Sequence, residues 1–188
     1  MSSVDMNQLY SDIILEHNQN QMNKRALDKF TLQEHGHNPS CGDDITLQAD
    51  IEGGIVKDAA YTGHGCAISQ ASADMMIDLI KGKSVKEALR LVNLFLDMIK
   101  REVTDDDELE ELEDAISLKN ISNMPARVKC AVLAWHTLKE ALSDDKEASE
   151  QYYMGYWLLY PNGYGSFFMS ATNGKSVKFY TKFFEFVV

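Results

Sequence analysis

The sequence is short of cysteine, of positive charge and of long apolar runs, and each shortage closes off a class of function. Only three cysteines occur in 188 residues, Cys41, Cys66 and Cys130. An odd number does not make a disulfide framework, so a reducing, cytoplasmic setting is expected. No two of them form a Cys-x-x-Cys knuckle, which argues against a zinc ribbon or finger. Eighteen basic residues against 29 acidic ones leave a net charge of −11. A nucleic-acid binder needs a basic face to displace counterions from phosphate, so that class is disfavoured. The same charge suits docking on a basic or mixed partner surface. No apolar run approaches the ~20 residues of a membrane helix. No basic segment followed by an apolar stretch opens the chain, so neither a membrane nor a secretory role is expected.

What is present reads as one well-buried domain with an appendage. Met6, Leu9, Tyr10, Ile13 and Ile14 recur at helical spacing behind Asp5, an N-cap residue, and predict a helix over 6–17. Residues 18–38 are polar and turn-rich, with room for a short strand near Phe30. Ile45, Leu47, Ala49 and Ile51 alternate with polar residues, Gly53-Gly54 makes a tight turn, and residues 55–62 return. That pattern is an antiparallel hairpin. Cys41 precedes its first arm and Cys66 follows its second, so the hairpin brings both to one edge.

Residues 67–80 predict a helix with Ile68, Ala71, Met75, Met76 and Leu79 on one face and Cys66 at its N-terminus, where the dipole favours a thiolate. Gly82 ends it, and Ser84 with Glu87 forms a capping box for a helix burying Val85, Ala88, Leu89, Val92, Phe95, Leu96 and Ile99. The acidic block 105–114 reads as a solvated helix with a thin seam of Leu109, Leu112 and Ile116, in preference to an acidic binding tract. Pro125 begins a last helix whose buried face is Val128, Ala131, Val132, Trp135 and Leu138.

After Glu150 the composition changes abruptly. Thirteen of the 18 aromatic residues lie in 151–188, with one carboxylate, Glu185, and three lysines. The turns at Pro161-Asn162-Gly163 and Asn173-Gly174 suggest strands between them. Three readings stay open: an accessory β element covering the domain, a partner-binding or dimerising surface, and a segment foreign to the domain. The expected division is a domain over 1–145 and an aromatic-rich extension over 146–188.

Taken singly, each cysteine reads as a buried small hydrophobe. Together they fall at element boundaries or in a first helical turn, two of them beside glycines, and Asp43 stands one residue beyond Cys41-Gly42. Three thiols and a carboxylate make the four ligands of a tetrahedral zinc ion, although spacing alone leaves a metal site and ordinary burial both open. Carboxylate is harder than thiolate, so this set is an uncommon choice for a purely structural ion. Four anionic ligands leave about −2 on a divalent site. Arg127, one turn before Cys130, would offset that, or is an ordinary helix-surface arginine. His64 reads as a ligand, a proton carrier or a solvated loop residue. His136 lies away from the face of Cys130, and His17, His35 and His37 have no partner visible in sequence.

Three stretches carry a family resemblance: Pro39-Ser-Cys41-Gly-Asp43, Gly63-His-Gly-Cys66-Ala-Ile-Ser69-Gln-Ala-Ser72-Ala and Met124-Pro-Ala-Arg127-Val-Lys-Cys130. In order, over about residues 6–142, they resemble the IscU-like (NifU N-terminal) proteins of iron–sulfur cluster assembly, and more narrowly the SufU branch. IscU scaffolds carry a Leu-Pro-Pro-Val-Lys motif and a histidine just before the third cysteine. Here Asn123-Met-Pro125-Ala-Arg127 and Lys129 stand at those places, and the acidic stretch 105–118 is an extra helical segment of the SufU kind. Asn18-Gln-Asn-Gln-Met-Asn departs from the Asn-Pro-Arg-Asn-like turn of the family.

The resemblance implies an α+β fold, a small antiparallel sheet packed by helices with the cysteines at one exposed end; it does not cover the aromatic tail, which the turns and aromatics suggest is an extra C-terminal β segment. It implies zinc on Cys41, Asp43, Cys66 and Cys130. It implies a SufS-type cysteine desulfurase as partner, lending a histidine ligand so that Cys41 is freed to accept persulfide sulfur for a downstream iron–sulfur scaffold. The competing reading is a scaffold on which the same four ligands hold iron or a transient [2Fe–2S] cluster. A third is a zinc-stabilised interaction module using the aromatic tail.

Overall fold

Two glycines set the sheet. Gly53 and Gly54 both take left-handed backbone angles, φ 59° and 76°, which a two-residue hairpin turn requires and a side chain resists. They join β2, Asp43–Glu52, to β3, Ile55–His64, in antiparallel register from Asp44 opposite His64 to Glu52 opposite Ile55. The hairpin is longer at both ends than the alternation alone predicts. The computed structural model describes residues 6–19, 22–143 and the backbone of 169–170.

A third strand, β1, spans Leu32–Asn38 and pairs antiparallel with β2 from Leu32 opposite Ala49 to Asn38 opposite Asp43. The strand anticipated near Phe30 thus begins two residues later, and Phe30 itself is exposed. His35, Gly36 and His37 belong to it because β2 offers a partner edge, which outweighs the weak strand propensity of that stretch. The backbone of β4, Met169–Ser170, pairs with β1 at Gly36 and His35. The rest of the expected aromatic β segment lies outside the described residues.

On β2 the odd-numbered side chains, Asp43 to Ala49, are buried and the even-numbered ones face outward. The buried face packs on helices. Helix α2, Ala67–Ile80, is buried almost all round, as a central helix must be. Against it lies α5, Pro125–Leu142, whose expected face of Val128, Ala131, Val132, Trp135 and Leu138 is buried. Trp135 stacks on Phe95 at 3.8 Å between ring centroids and donates its indole N–H to Ser72 Oγ at 2.9 Å. Ser72 passes the bond on to the Ala131 carbonyl, so α2, α5 and the next helix share one satisfied core.

That next helix, α3, Val85–Lys100, starts at Ser84, whose Oγ accepts from Glu87 N. Only half of the anticipated capping box forms, because the Glu87 carboxylate turns outward to Arg90. Its buried face is wider than the spacing suggested: Leu91, Leu94 and Met98 join it, while Val85 and Leu89 are half-buried.

The acidic block departs most from expectation. A single turn, α4, Asp106–Leu109, passes into a 3₁₀ stretch, Glu110–Asn123, broken at Glu113, which has φ 51°. Leu109, Leu112, Ala115, Leu118 and Ile121 are buried. Every third residue is apolar, which is the period of a 3₁₀ helix, so the seam continues through Ala115 and leaves Ile116 half-buried.

Helix α1, Met6–Gln19, extends two residues past its predicted end. Its Asp5 cap lies outside the described residues. His17 ties it down: Nδ1 is 2.8 Å from Asp74 Oδ2 on α2 and Nε2 is 3.1 Å from Asp114 Oδ2. Asn23 Nδ2 donates to Asp74 Oδ1 and to Asp78 Oδ1, both at 2.8 Å, and its Oδ1 accepts from Lys81 at 2.5 Å. The Asp74 hydrogen bond pushes the His17 imidazole up to about 9 against desolvation, with Asp114 adding to it. His17 therefore does have partners, on two distant segments that only folding brings near.

Candidate metal centre

The turn Pro39–Gly42 carries Cys41 from the end of β1 to the start of β2. Gly42 at φ 70° permits the reversal, and Cys41 is exposed at its tip. Cys130 arrives from the other side, one turn into α5, and is buried. Its Sγ lies 3.1 Å from Cys41 Sγ. One ligand atom from each of Cys41, Asp43 and Cys130 falls within 4.8 Å of the others.

Cys66 falls outside that 4.8 Å set but is tied to it by two links. Its backbone N–H donates to Asp43 Oδ1 at 2.8 Å, and its thiol stands in hydrogen-bond contact with Cys130. It is the N-cap of α2, its Sγ accepting from Ser69 N at 3.4 Å. The Cys130 thiol first, then the Ser69 and Ile68 N–H groups, pull the Cys66 thiol down to about 6. The helix start contributes only the smaller part of that lowering, through the Ser69 and Ile68 N–H groups. The Cys66–Cys130 contact, with burial, pushes the Cys130 thiol up.

Asp43 is wholly buried, yet neither oxygen is abandoned. Oδ1 accepts from Cys66 N and Oδ2 accepts from Asn38 Nδ2 at 2.8 Å. Each carboxylate oxygen keeps a further lone pair toward the thiols. Gly65 makes this approach possible: a Cβ there would stand 3.0 Å from both Asp43 Oδ1 and Ser69 Oγ. Ser69 Oγ is itself buried without a hydrogen-bond partner beside this cluster. Thiols, a bonded carboxylate and an orphaned hydroxyl together fit a thiolate-rich tetrahedral ion.

Arg127 is not drawn into the group. It is exposed in the first turn of α5 and its N–H caps back to the Met124 carbonyl. Neither is His136, which is buried on α5 and pushed down to about 3 by desolvation, then by Lys139 and Lys100. His64 is exposed at the end of β3. The residue missed in the sequence is Asn38. It is wholly buried, its Nδ2 bonds Asp43 and lies 3.6 Å from Cys130 Sγ, and its Oδ1 accepts from Ser40 N. Its only signal was an amide ahead of Pro39, a common turn feature.

The NifU-like N terminal domain matches residues 9–151. The chain belongs to this family. An iron-sulfur cluster assembly scaffold protein IscU from Thermotoga maritima is 44% identical over 71% of this chain and 92% of its own length. A zinc-dependent sulfurtransferase SufU from Bacillus subtilis is 38% identical over 77% of this chain and 96% of its own. Among solved structures, an iron-sulfur cluster assembly scaffold protein for the SUF system from Fervidobacterium islandicum AW-1 superposes with a TM-score of 0.68 at 35% identity. It covers 73% of this chain and 98% of that one. The IscU-like and SufU-like resemblance of the three cysteine motifs therefore holds, and with it the α+β architecture. Among the described residues no helix is long and apolar enough to cross a membrane.

Proposed function

We propose that residues 1–145 form a zinc-bound sulfur acceptor in iron–sulfur cluster assembly, taking persulfide sulfur from a SufS-type cysteine desulfurase on Cys41. The observation that carries this reading is the inequality of the three thiols. Cys41 is exposed on a turn, Cys66 half-buried and Cys130 buried. Cys41 is the thiol most open to a partner's persulfide, whereas Cys130 is covered within α5. Lys129 in place of a histidine before Cys130, and the 3₁₀ insertion, support the SufU side of the family.

Cys41, Asp43, Cys66 and Cys130 would hold the zinc, which keeps the thiols deprotonated at neutral pH and out of disulfides. Asn38 and the Cys66 N–H hold the Asp43 carboxylate in place throughout. A histidine supplied by the desulfurase would stand in for Cys41 at the ion, and the exposed Cys41 thiolate attacks the terminal sulfur of the persulfide. A new S–S bond forms on Cys41, the old one breaks, and the desulfurase cysteine leaves as a thiolate. Arg127, exposed one turn before Cys130, would offset the negative charge of the four ligands from outside the group. The sulfur then passes to a downstream scaffold in a cytoplasmic setting.

A second reading is favoured by the 44% identical relative, named a scaffold: the same four residues would receive iron and sulfide as cargo. Metal analysis of protein purified in air and without oxygen, with a desulfurase stimulation assay, separates the two. One zinc per chain with stimulation lost in Cys41→Ala is the expected result. Iron with acid-labile sulfide and little zinc would replace the first reading by the second.

A further inference from the structure

Helix α2 opens with an incomplete cap. Cys66 is its N-cap residue and Ser69 its third residue, the two positions that face each other in a capping box. One half of the box forms with sulfur in place of oxygen: Ser69 N donates to Cys66 Sγ at 3.4 Å. The other half is missing, because the Cys66 N–H that the Ser69 side chain would accept goes to Asp43 Oδ1 at 2.8 Å. Ser69 is 1% exposed, and its hydroxyl has no hydrogen-bond partner.

A buried hydroxyl on a helix ordinarily finds a carbonyl. Helices α2 and α5 carry three hydroxyl side chains, all buried. Ser72 donates to the Ala131 carbonyl at 2.6 Å, and Thr137 donates to the Leu133 carbonyl at 2.8 Å. Ser69 does neither, and it is the one beside the thiol cluster. A Cβ on Gly65 would stand 3.0 Å from Asp43 Oδ1 and equally close to Ser69 Oγ, so the hydroxyl and the carboxylate flank the same point. The Asp43 oxygens already accept from Cys66 N and Asn38 Nδ2. The Cys66 sulfur is the acceptor with capacity to spare: a thiol is a weak acceptor, but a thiolate is a charged one. The Ser69 hydroxyl hangs from the residue whose N–H already meets that sulfur, and a turn about χ1 carries it towards the same atom.

We infer that Ser69 is a positioning residue of the thiol centre, its hydroxyl donating to Cys66 Sγ when that sulfur is a thiolate ligand. The inference rests on the reading of Cys66 as one of the four zinc ligands. With N–H and O–H both on it, the sulfur is held by two donors of one residue at the positive end of α2. A sulfur that shares its lone pairs with two donors gives less to an electrophile. Cys66 therefore stays in place, and the exposed Cys41 is the thiolate that reacts.

Cobalt(II) loaded into the full chain in place of zinc reads the sulfur directly, through its sulfur-to-cobalt charge-transfer band. Ser69→Ala should move that band to longer wavelength, because a sulfur relieved of a hydrogen bond gives up its electrons more readily. It should also weaken zinc retention about tenfold in a chelator competition. Ser72→Ala, which removes a bonded hydroxyl one turn along the same helix, should leave the band where it is. Each variant removes a single oxygen atom, so the fold is kept, which circular dichroism checks. A band unmoved in Ser69→Ala, or moved equally in Ser72→Ala, overturns the inference alone. No charge-transfer band in the native chain, or a band of unchanged intensity in Cys66→Ala, overturns the ligand reading and the inference with it.

Discussion

Two buried polar clusters meet helix α2, and they are finished to different degrees. At mid-helix, His17, Asn23, Asp74, Asp78 and Lys81 satisfy one another with hydrogen bonds of 2.5–2.8 Å. At the N-terminus, beside Asp43 and Cys66, the Cys41 and Cys130 thiols touch at 3.1 Å and Ser69 Oγ is unpaired. The first cluster is closed by the chain itself and acts as a fastener between α1 and α2. The second has donor capacity left over, which is the mark of a place meant for something else. Burial of charge alone does not identify a functional site; unspent bonding capacity does.

The largest effect that bears on this contrast comes from the open cluster. Asp43→Ala or Cys130→Ala should remove stoichiometric zinc, read by elemental analysis, while far-ultraviolet circular dichroism stays native-like. Cys130 is one member of the apolar core of α2, α3 and α5, which is otherwise built from residues that are not ligands. If stripping zinc unfolds the domain, the ion is a structural one and the contrast fails. Next in size, Asn38→Ala should weaken zinc retention about 10–100-fold, because it frees one oxygen of Asp43 from its bond. Competition with a chromophoric chelator measures it, and an unchanged affinity would leave Asn38 a mere turn residue.

The closed cluster is tested by pH. The folded-state imidazole of His17 titrates at about 9, above the usual 6.5. Its contribution to stability is therefore fully present below about pH 6.5 and is lost as pH rises through about 9. Since Asp114 is largely exposed and screened, that contribution is on the order of 2–3 kcal/mol. The melting-temperature gap between the native chain and His17→Gln should be widest near pH 6 and shrink above pH 9. A gap independent of pH would mean that packing, not charge, fastens α1. Smallest is Arg127→Ala, which should slow sulfur acceptance by less than about tenfold at unchanged zinc content, as expected of a solvated charge. No change at all would reduce Arg127 to a surface residue.

Much of this molecule was legible before folding was considered. The hairpin, the start and end of α2, and the buried stripe of α5 follow from alternation, glycine placement and helical spacing, all local properties. So does the gathering of Cys41 and Cys66, since a hairpin returns its ends to one edge. The 3₁₀ course of 110–123 was misread because apolar residues three apart fit both helical periods until packing chooses. Strand β1 was anticipated only as a short strand near Phe30, for a related reason: Leu32 to Asn38 has little strand character of its own and is extended because β2 presents an unpaired edge.

Side-chain chemistry at long range was decided by tertiary structure alone. Which thiol is exposed, that Asn38 holds Asp43, and that His17 reaches both Asp74 and Asp114 all depend on segments far apart in the chain. Local sequence sets where a backbone turns and which face is apolar, because those preferences are carried by each residue and its near neighbours. The bonding partners of a buried or cross-strand polar atom are set by packing, because only in the folded chain is water replaced by a particular neighbour.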